Sequence, residues 1–453
     1  MNRTETQSFK SKFLSWDNVL EVDFTRTAES VQRTGADLTK WVTNQQTMKI
    51  DLSALFMPRQ PPLSKTEAQQ LTEEWNEDLE TMEAFVLENK KFVKLPEEEF
   101  GHFYSANCYV FLCRYWVPIE SENASNEEEE DIEDDFHCVV YFWQGRDASN
   151  MGWLNFTFSL QKKFEAMFPN KLETMRTHQQ QENLKFLSHF KHFIIHKGKR
   201  PSIPTNSHDS SEVEFFHLRS NSNPLTLRCI QIKPDSSALN SAFCYILKQP
   251  INETDETGTA FVWIGSKADE DESRIAEQIA LQMYDSDFFN ISIVSEGEEP
   301  QLFWDYLGGK KVYEKDASYI DYSRLFRCSN ERGYFAISEK CSDFCQDDLI
   351  DEDIMLLDNG TQVFIWLGSR CSEVEVKLAY KSAQVYVQNM RMKQMDRPRT
   401  LMLTMKGKET RKFTKCFHAW SQHKSVSDPR LVLDKQMLKI NYNNDKNDRI
   451  SNE

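Results

Sequence analysis

The stretches VVYFWQG (Val139–Gly145), TAFVWIG (Thr259–Gly265) and TQVFIWLG (Thr361–Gly368) are three versions of one pattern, a β-rich apolar run closed by Trp-x-Gly. Trp143, Trp263 and Trp366 hold equivalent places, about 120 and then about 103 residues apart, far beyond the roughly 20 to 50 residues of a stacking solenoid unit. Each copy is therefore a domain in its own right.

The elements on either side repeat as well. Upstream lies a second apolar strand, NCYVFLCRYW (Asn107–Trp116), AFCYILKQ (Ala242–Gln249) or EDIMLLD (Glu352–Asp358), which gives one hairpin per copy. Downstream the period turns helical. Ile275, Ile279 and Met283 form one stripe, while Leu378, Ser382 and Val385 with Ala379, Ala383 and Tyr386 form another, each an apolar face for a sheet. A further strand follows (LETMRTH, NISIVSEG, LMLTMKG), and then a short helix with Glu and aromatics at spacings of four, four and three. Glu182, Phe186, Phe190 and Phe193 fit that spacing, as do Glu409, Phe413, Phe417 and Trp420; Glu299, Phe303 and Leu307 fit it in part. Strands and helices in this order predict an α+β chain of three tandem domains, each a mixed sheet with one long and one short helix.

The spacing of the short helix also occurs at Glu5, Phe9, Phe13 and Trp16, so residues 1–20 read as the remnant of a preceding copy and the natural protein as longer. Residues 21–95 read as a linker with a helical segment after a proline turn, followed by domains at 96–205, 212–316 and 322–424. The tail 425–453 has no core-forming pattern and is expected to be mobile. The run EEEEDIEDD (Glu127–Asp135) falls in the first hairpin, as a solvated loop insertion or an acidic docking segment.

Composition narrows the function. The 453 residues carry a net charge of −17 and no basic stripe with interleaved aromatics, which argues against direct nucleic-acid binding. Apolar residues at 39%, with 31 Phe, suffice for packed cores. No run reaches the roughly 18 apolar residues of a spanning helix, and the first residues lack a secretory core, so a cytosolic or nuclear protein is expected. The ten Cys are scattered in apolar strands (Cys108, Cys113, Cys138, Cys244), as reduced thiols are. No phosphate loop, nucleophile elbow, paired metal histidines or dinucleotide turn occurs, so the chain reads as a non-enzyme.

The Trp-x-Gly strand, long helix, strand and Glu-x3-Phe-x3-Phe helix resemble the gelsolin and villin family over about residues 92–423, with three copies matching that family's C-terminal half. The stretches LFMPRQPPLS, EEWNEDLE, LPEEEFGHFY and SEKCSDFCQDD place the likeness in a branch that joins leucine-rich repeats to such domains; this chain has no leucine-rich repeats. The resemblance implies a mixed sheet between one long and one short helix, and a calcium ion held between an acidic residue entering the first hairpin strand and a Glu in the first turn of the long helix. In the first copy these places fall on Ala106–Asn107 and Gly152, so that site is expected to be dead. In the second, Glu272 is present but Ala242 and Phe243 stand opposite, so calcium is expected to be weak or absent. In the third, Asp353, Glu375 and the backbone carbonyl of Glu352 complete a constellation, making Ca2+ in the last domain the expected cofactor. Ser372 and Glu375 equally form a helix capping box.

For actin, the resemblance implies contact through the long helix of the first copy, at about 150–168, with Trp153, Phe158, Lys162 and Glu165 as the contact residues. Gly152, Trp153 and Phe164 depart from members that sever on calcium command, so monomer binding or filament capping is expected rather than triggered severing. HKGKR (His196–Arg200) and MRMKQMDRPR (Met390–Arg399) are either sites for phosphoinositide headgroups or plain exposed ends. The competing expectation is a scaffold for other regulatory proteins, including transcriptional ones, with actin secondary.

Overall fold

Trp143, Trp263 and Trp366 face Tyr109, Tyr245 and Met355 across antiparallel hairpins, and all three indoles are fully buried. A computed structural model describes residues 50–117, 136–201, 212–221, 223–249, 257–340 and 343–421, which form two compact units, one spanning 61–318 with 343–345 and the other the remaining described residues. The N-terminal remnant at 1–20, the acidic run 127–135 and the tail 425–453 lie outside the described residues.

The described chain opens with β1 (Ile50–Asp51). Helix α1 (Lys65–Glu77) starts at a capping box, in which the Ser64 amide donates to Glu67 at 2.9 Å while the Ser64 hydroxyl accepts from the Glu67 amide. The first repeat continues through β2 (Leu79–Glu88), β3 (Lys91–Lys94), β4 (His102–Tyr104), β5 (Cys108–Trp116) and β6 (Phe136–Gln144). It then adds α2 (Met151–Phe158), α3 (Leu160–Met167), β7 (Leu172–His178), α4 (Leu184–Ser188) and β8 (Ile194–His196). Its five-stranded sheet has the order β3-β2-β5-β6-β7, antiparallel except for the parallel pair β6–β7. One face packs Val110, Val140 and Phe142 on Phe156 and Phe164 of α2 and α3. The other meets Phe186, Phe190 and Phe193 through Phe103 and Phe111.

The second repeat comprises β9 (Glu214–Arg219), β10 (Arg228–Ile232), β11 (Cys244–Lys248), β12 (Gly258–Ile264), α5 (Glu270–Met283), β13 (Phe289–Ser295) and α6 (Gln301–Tyr306). Its sheet runs β13-β12-β11-β9-β10-β8-β4, so β8 and β4 of the first repeat extend it in parallel. Arg228 is buried in this unit between Glu182 at 2.7 Å and Asp343 at 2.9 Å, and this pairing satisfies a charge that alone would be costly inside protein.

The third repeat comprises α7 (Tyr319–Tyr322), β14 (Arg324–Ser329), β15 (Phe335–Glu339), β16 (Ile354–Asp358), β17 (Gln362–Leu367), α8 (Glu373–Lys393), β18 (Thr400–Met405) and α9 (Arg411–Thr414). Its sheet order is β1-β15-β14-β16-β17-β18, with Ala379, Ala383 and Tyr386 of α8 in the core. The fold is thus α+β, built on mixed sheets.

Three expectations are corrected. The stretch 21–95 is not a linker where it is described: β2 and β3 belong to the first sheet, and Leu55 is buried in the core of the third beside Ile50 and Leu52. The boundary at 96 does not hold, because the first sheet begins at Leu79, and β4 and β8 of the first repeat hydrogen-bond into the second sheet. The single helix over 150–168 is two helices broken at Ser159, whose backbone leaves the helical region while its hydroxyl donates to the Asn155 carbonyl at 2.5 Å.

Candidate functional site

The α2–α3 segment divides its expected contact residues between two directions. Trp153 packs inward, edge-on against Phe142 at 5.1 Å and under the Arg176 guanidinium at 4.9 Å, so it serves the core of the first repeat. Phe158 is 70% exposed, with the Lys162 ammonium 5.7 Å from its ring centre. Glu165 is exposed and accepts a bond from Gln161 at 2.9 Å. Met151 and Met167, which the sequence reading did not single out, are 58% and 63% exposed, so an aromatic ring, two flexible thioethers and a mixed charge pair share this segment. The signal for them was available in the apolar surplus over 150–168, more than one sheet-facing stripe consumes.

The three acidic positions are equally specific. In the first repeat the Gly145 amide bonds the Asn107 carbonyl, in the second Gly265 bonds Phe243, and in the third Gly368 bonds Asp353, which fixes Asn107, Phe243 and Asp353 as structural equivalents. Gly152 lies against Cys108, where an added Cβ would sit 2.5 Å from the sulfur. Glu272 accepts from the Ser220 hydroxyl at 3.0 Å, and burial pushes its carboxyl above the usual range. Phe243 offers no oxygen from its side chain and lies against Arg219, 5.6 Å away.

In the third repeat the carboxylates meet cations of the chain itself. Asp353 accepts from Arg327 Nε at 2.6 Å, Asp351 from Lys406 at 2.7 Å, and Glu352 pairs with Arg370. Glu375 Oε2 accepts from both the amide and the hydroxyl of Ser372 at 2.8 Å, closing the capping box. Calcium requires about six to eight oxygens converging on one point. Among the described residues no group of three or more His, Cys, Asp or Glu converges in that way. The donor set in this arrangement does not fit the ion.

The basic stretches are largely engaged within the fold. Arg200 grips Glu88 and Glu99 at 2.5 and 2.6 Å, Arg399 pairs with buried Asp358, and Arg397 stacks on Tyr322 at 3.6 Å. The side chains of Lys197, Lys199, Arg391 and Lys393 are exposed, and the Lys393 ammonium donates to the Phe56 carbonyl at 3.4 Å. No helix among the described residues is long and apolar enough to cross a membrane.

Repeated hairpins, each closed by Trp-x-Gly and backed by one long and one short helical segment, define a class, and comparison with known proteins identifies it. Residues 230–304 and 335–414 match the gelsolin repeat, so the chain carries gelsolin repeats. It is 60% identical to Protein flightless-1 of Drosophila melanogaster over 437 residues, covering 93% of this chain and 35% of that protein. To Protein flightless-1 homolog of Homo sapiens it is 54% identical over 442 residues, covering 92% and 34%; to Protovillin of Dictyostelium discoideum it is 28% identical over 449 residues, covering 94% and 43%. The chain thus spans about a third of the length of the flightless relatives. A solved Thorarchaeota 2DGel3/rabbit actin complex matches 46% of this chain at 20% identity with a TM-score of 0.19. The first repeat lies outside both matched segments yet has the same strand order at its centre.

Proposed function

We propose that this chain is an actin-binding cytoskeletal module, cytoplasmic and without catalytic activity, that engages actin through Phe158, Lys162 and Glu165 on the outer side of α2–α3. The gelsolin repeats support the partner, and the exposure of Phe158 carries the choice of surface. A large ring left in water beside a cation is what a partner's apolar cleft would desolvate, whereas Trp153 already has its neighbours. The mode is monomer binding or filament capping, a reading supported by the pairing of Asp353 with Arg327 and of Asp351 with Lys406 where a calcium trigger would need carboxylates.

Sedimentation velocity with monomeric actin, with and without calcium, tests the reading. The parent chain is expected to shift actin into a heavier boundary in both conditions, and Phe158→Asp with Lys162→Glu to weaken binding at least about tenfold, or 1.4 kcal/mol. Elongation of pyrene-labelled filaments then separates capping from monomer binding, by whether substoichiometric chain stops growth. A parent chain that leaves actin unshifted moves the assignment to a scaffold for other proteins.

A further inference from the structure

We propose that in the third repeat Arg327 sits on the carboxylate where a divalent ion would bind and holds the site shut against calcium. Asp353 is 4% exposed, so its carboxylate needs a positive partner, and Arg327 supplies one through a bond of 2.6 Å. The guanidinium is fixed from two sides: it projects from β14, opposite Met355 of β16, and its other end binds Glu331 at 2.9 Å. Lys406 and Arg370 neutralise the flanking Asp351 and Glu352, and Ser372 occupies Glu375. An entering ion would have to break the Arg327 pair and open the capping box of α8 to collect the same oxygens.

The other repeats differ at this position, where neither has a carboxylate. In the first, the Arg200 amide bonds Asn107 Oδ1 at 2.8 Å, at the equivalent of Asp353, while its guanidinium bridges Glu88 and Glu99. In the second, Lys65 reaches Asp269 and Asp271 at the start of α5, at 2.9 and 2.7 Å, while Arg219 lies by Phe243. The third repeat is thus the one that has both an acidic residue at this position and a guanidinium bonded directly to it.

The test uses the whole chain, with radioactive calcium in equilibrium dialysis and thermal unfolding in chelator against calcium at about 1 mM, the weak end of the affinities oxygen sites reach. The parent is expected to bind no ion at the third repeat, with melting curves that superimpose. Arg327→Ala is expected to melt several degrees lower in chelator, to recover in calcium, and to bind one ion that Glu375→Gln removes. A parent whose melting rises in calcium, with that rise abolished by Glu375→Gln, overturns the proposal, as does a folded Arg327→Ala that binds nothing. If Arg327→Ala does not fold, the parent and Glu375→Gln curves decide alone, superposition of the parent's curves supporting the proposal. None of these readouts involves actin.

Discussion

Each indole nitrogen of the three Trp-x-Gly strands donates to a carboxylate: Trp143 to Glu182 at 2.8 Å, Trp263 to Glu299 at 3.0 Å and Trp366 to Glu409 at 2.9 Å. The same Glu accepts the amide two residues before it, from Gln180, Gly297 or Gly407, all three with positive φ. In sequence these Glu read as the first residues of the short helix; in the structure they sit in the turn ahead of it and anchor the buried tryptophan. The glycine of the pattern is explained by close approach, since a Cβ at Gly145, Gly265 or Gly368 would lie 2.2, 2.3 or 2.4 Å from a carbonyl oxygen of Ser105, Ser241 or Asp351. Gly368→Ala is therefore expected to cost about 1–3 kcal/mol as backbones are forced apart, read from the urea midpoint of the far-ultraviolet transition; a midpoint equal to the parent's would contradict the contact. The resemblance made the acidic residues Asp353 and Glu375 of the third repeat legible, but not Arg327. Its meeting with Asp353 depends on the pairing of β14 with β16, a long-range register no local period reveals.

At the scale of elements, α2 and α3 are expected as one helix because the resemblance and the two later copies place a long helix at about 150–168. What that expectation could not weigh was Ser159 and Thr157 bonding back to the carbonyls of Asn155 and Trp153, at 2.5 and 2.9 Å, which competes with the helical ladder where the break falls. The break also sets two neighbouring phenylalanines in opposite roles. Phe156 is fully buried against Phe142 and Phe92, whereas Phe158 is exposed. Phe156→Ala is expected to cost about 3–5 kcal/mol of stability, the range for emptying a packed aromatic site. Phe158→Ala is expected to stay within about 0.5 kcal/mol of the parent, as exposed substitutions do. Parallel urea titrations check both values, and a large loss for Phe158→Ala would show that its ring is structural and unavailable to a partner. The strands β1, β4 and β8 were illegible for a different reason: at two or three residues each they are too short to show alternation, and they were assigned by the sheets they join.

At the scale of the whole chain, the unit spanning 61–318 holds four histidines whose protonation folding disfavours, His102 being lowered by burial as are the three that follow. His189 is lowered to about 4 by burial and then by Lys185, with its ring nitrogens 2.7 Å from the Tyr115 hydroxyl and 2.9 Å from Asn76 Oδ1. His196 is lowered to about 3 by burial and then by His102, on which it stacks; its other face meets Tyr104 at 4.6 Å. His217 falls well below its ordinary value through burial and then Arg219, and lies flat on Tyr245 at 4.6 Å. The sign follows from where the protons bind. Each folded value is depressed, so above about 6.5, the unfolded value, neither state binds a proton and stability is complete. Below it the unfolded chain takes up protons the folded unit refuses, and stability falls by about 1.4 kcal/mol per pH unit for each such histidine until the folded value is reached. The urea midpoint of this unit is thus expected to be level above about pH 7 and to drop steeply between about pH 6 and 5, before most carboxylates titrate. His217→Phe, which keeps the stacking ring and removes the titrating group, is expected to make that slope shallower by one histidine's share. A midpoint level down to about pH 5, or a slope unchanged in His217→Phe, would mean that these rings accept protons in place and that their burial does not govern the acid response of the unit.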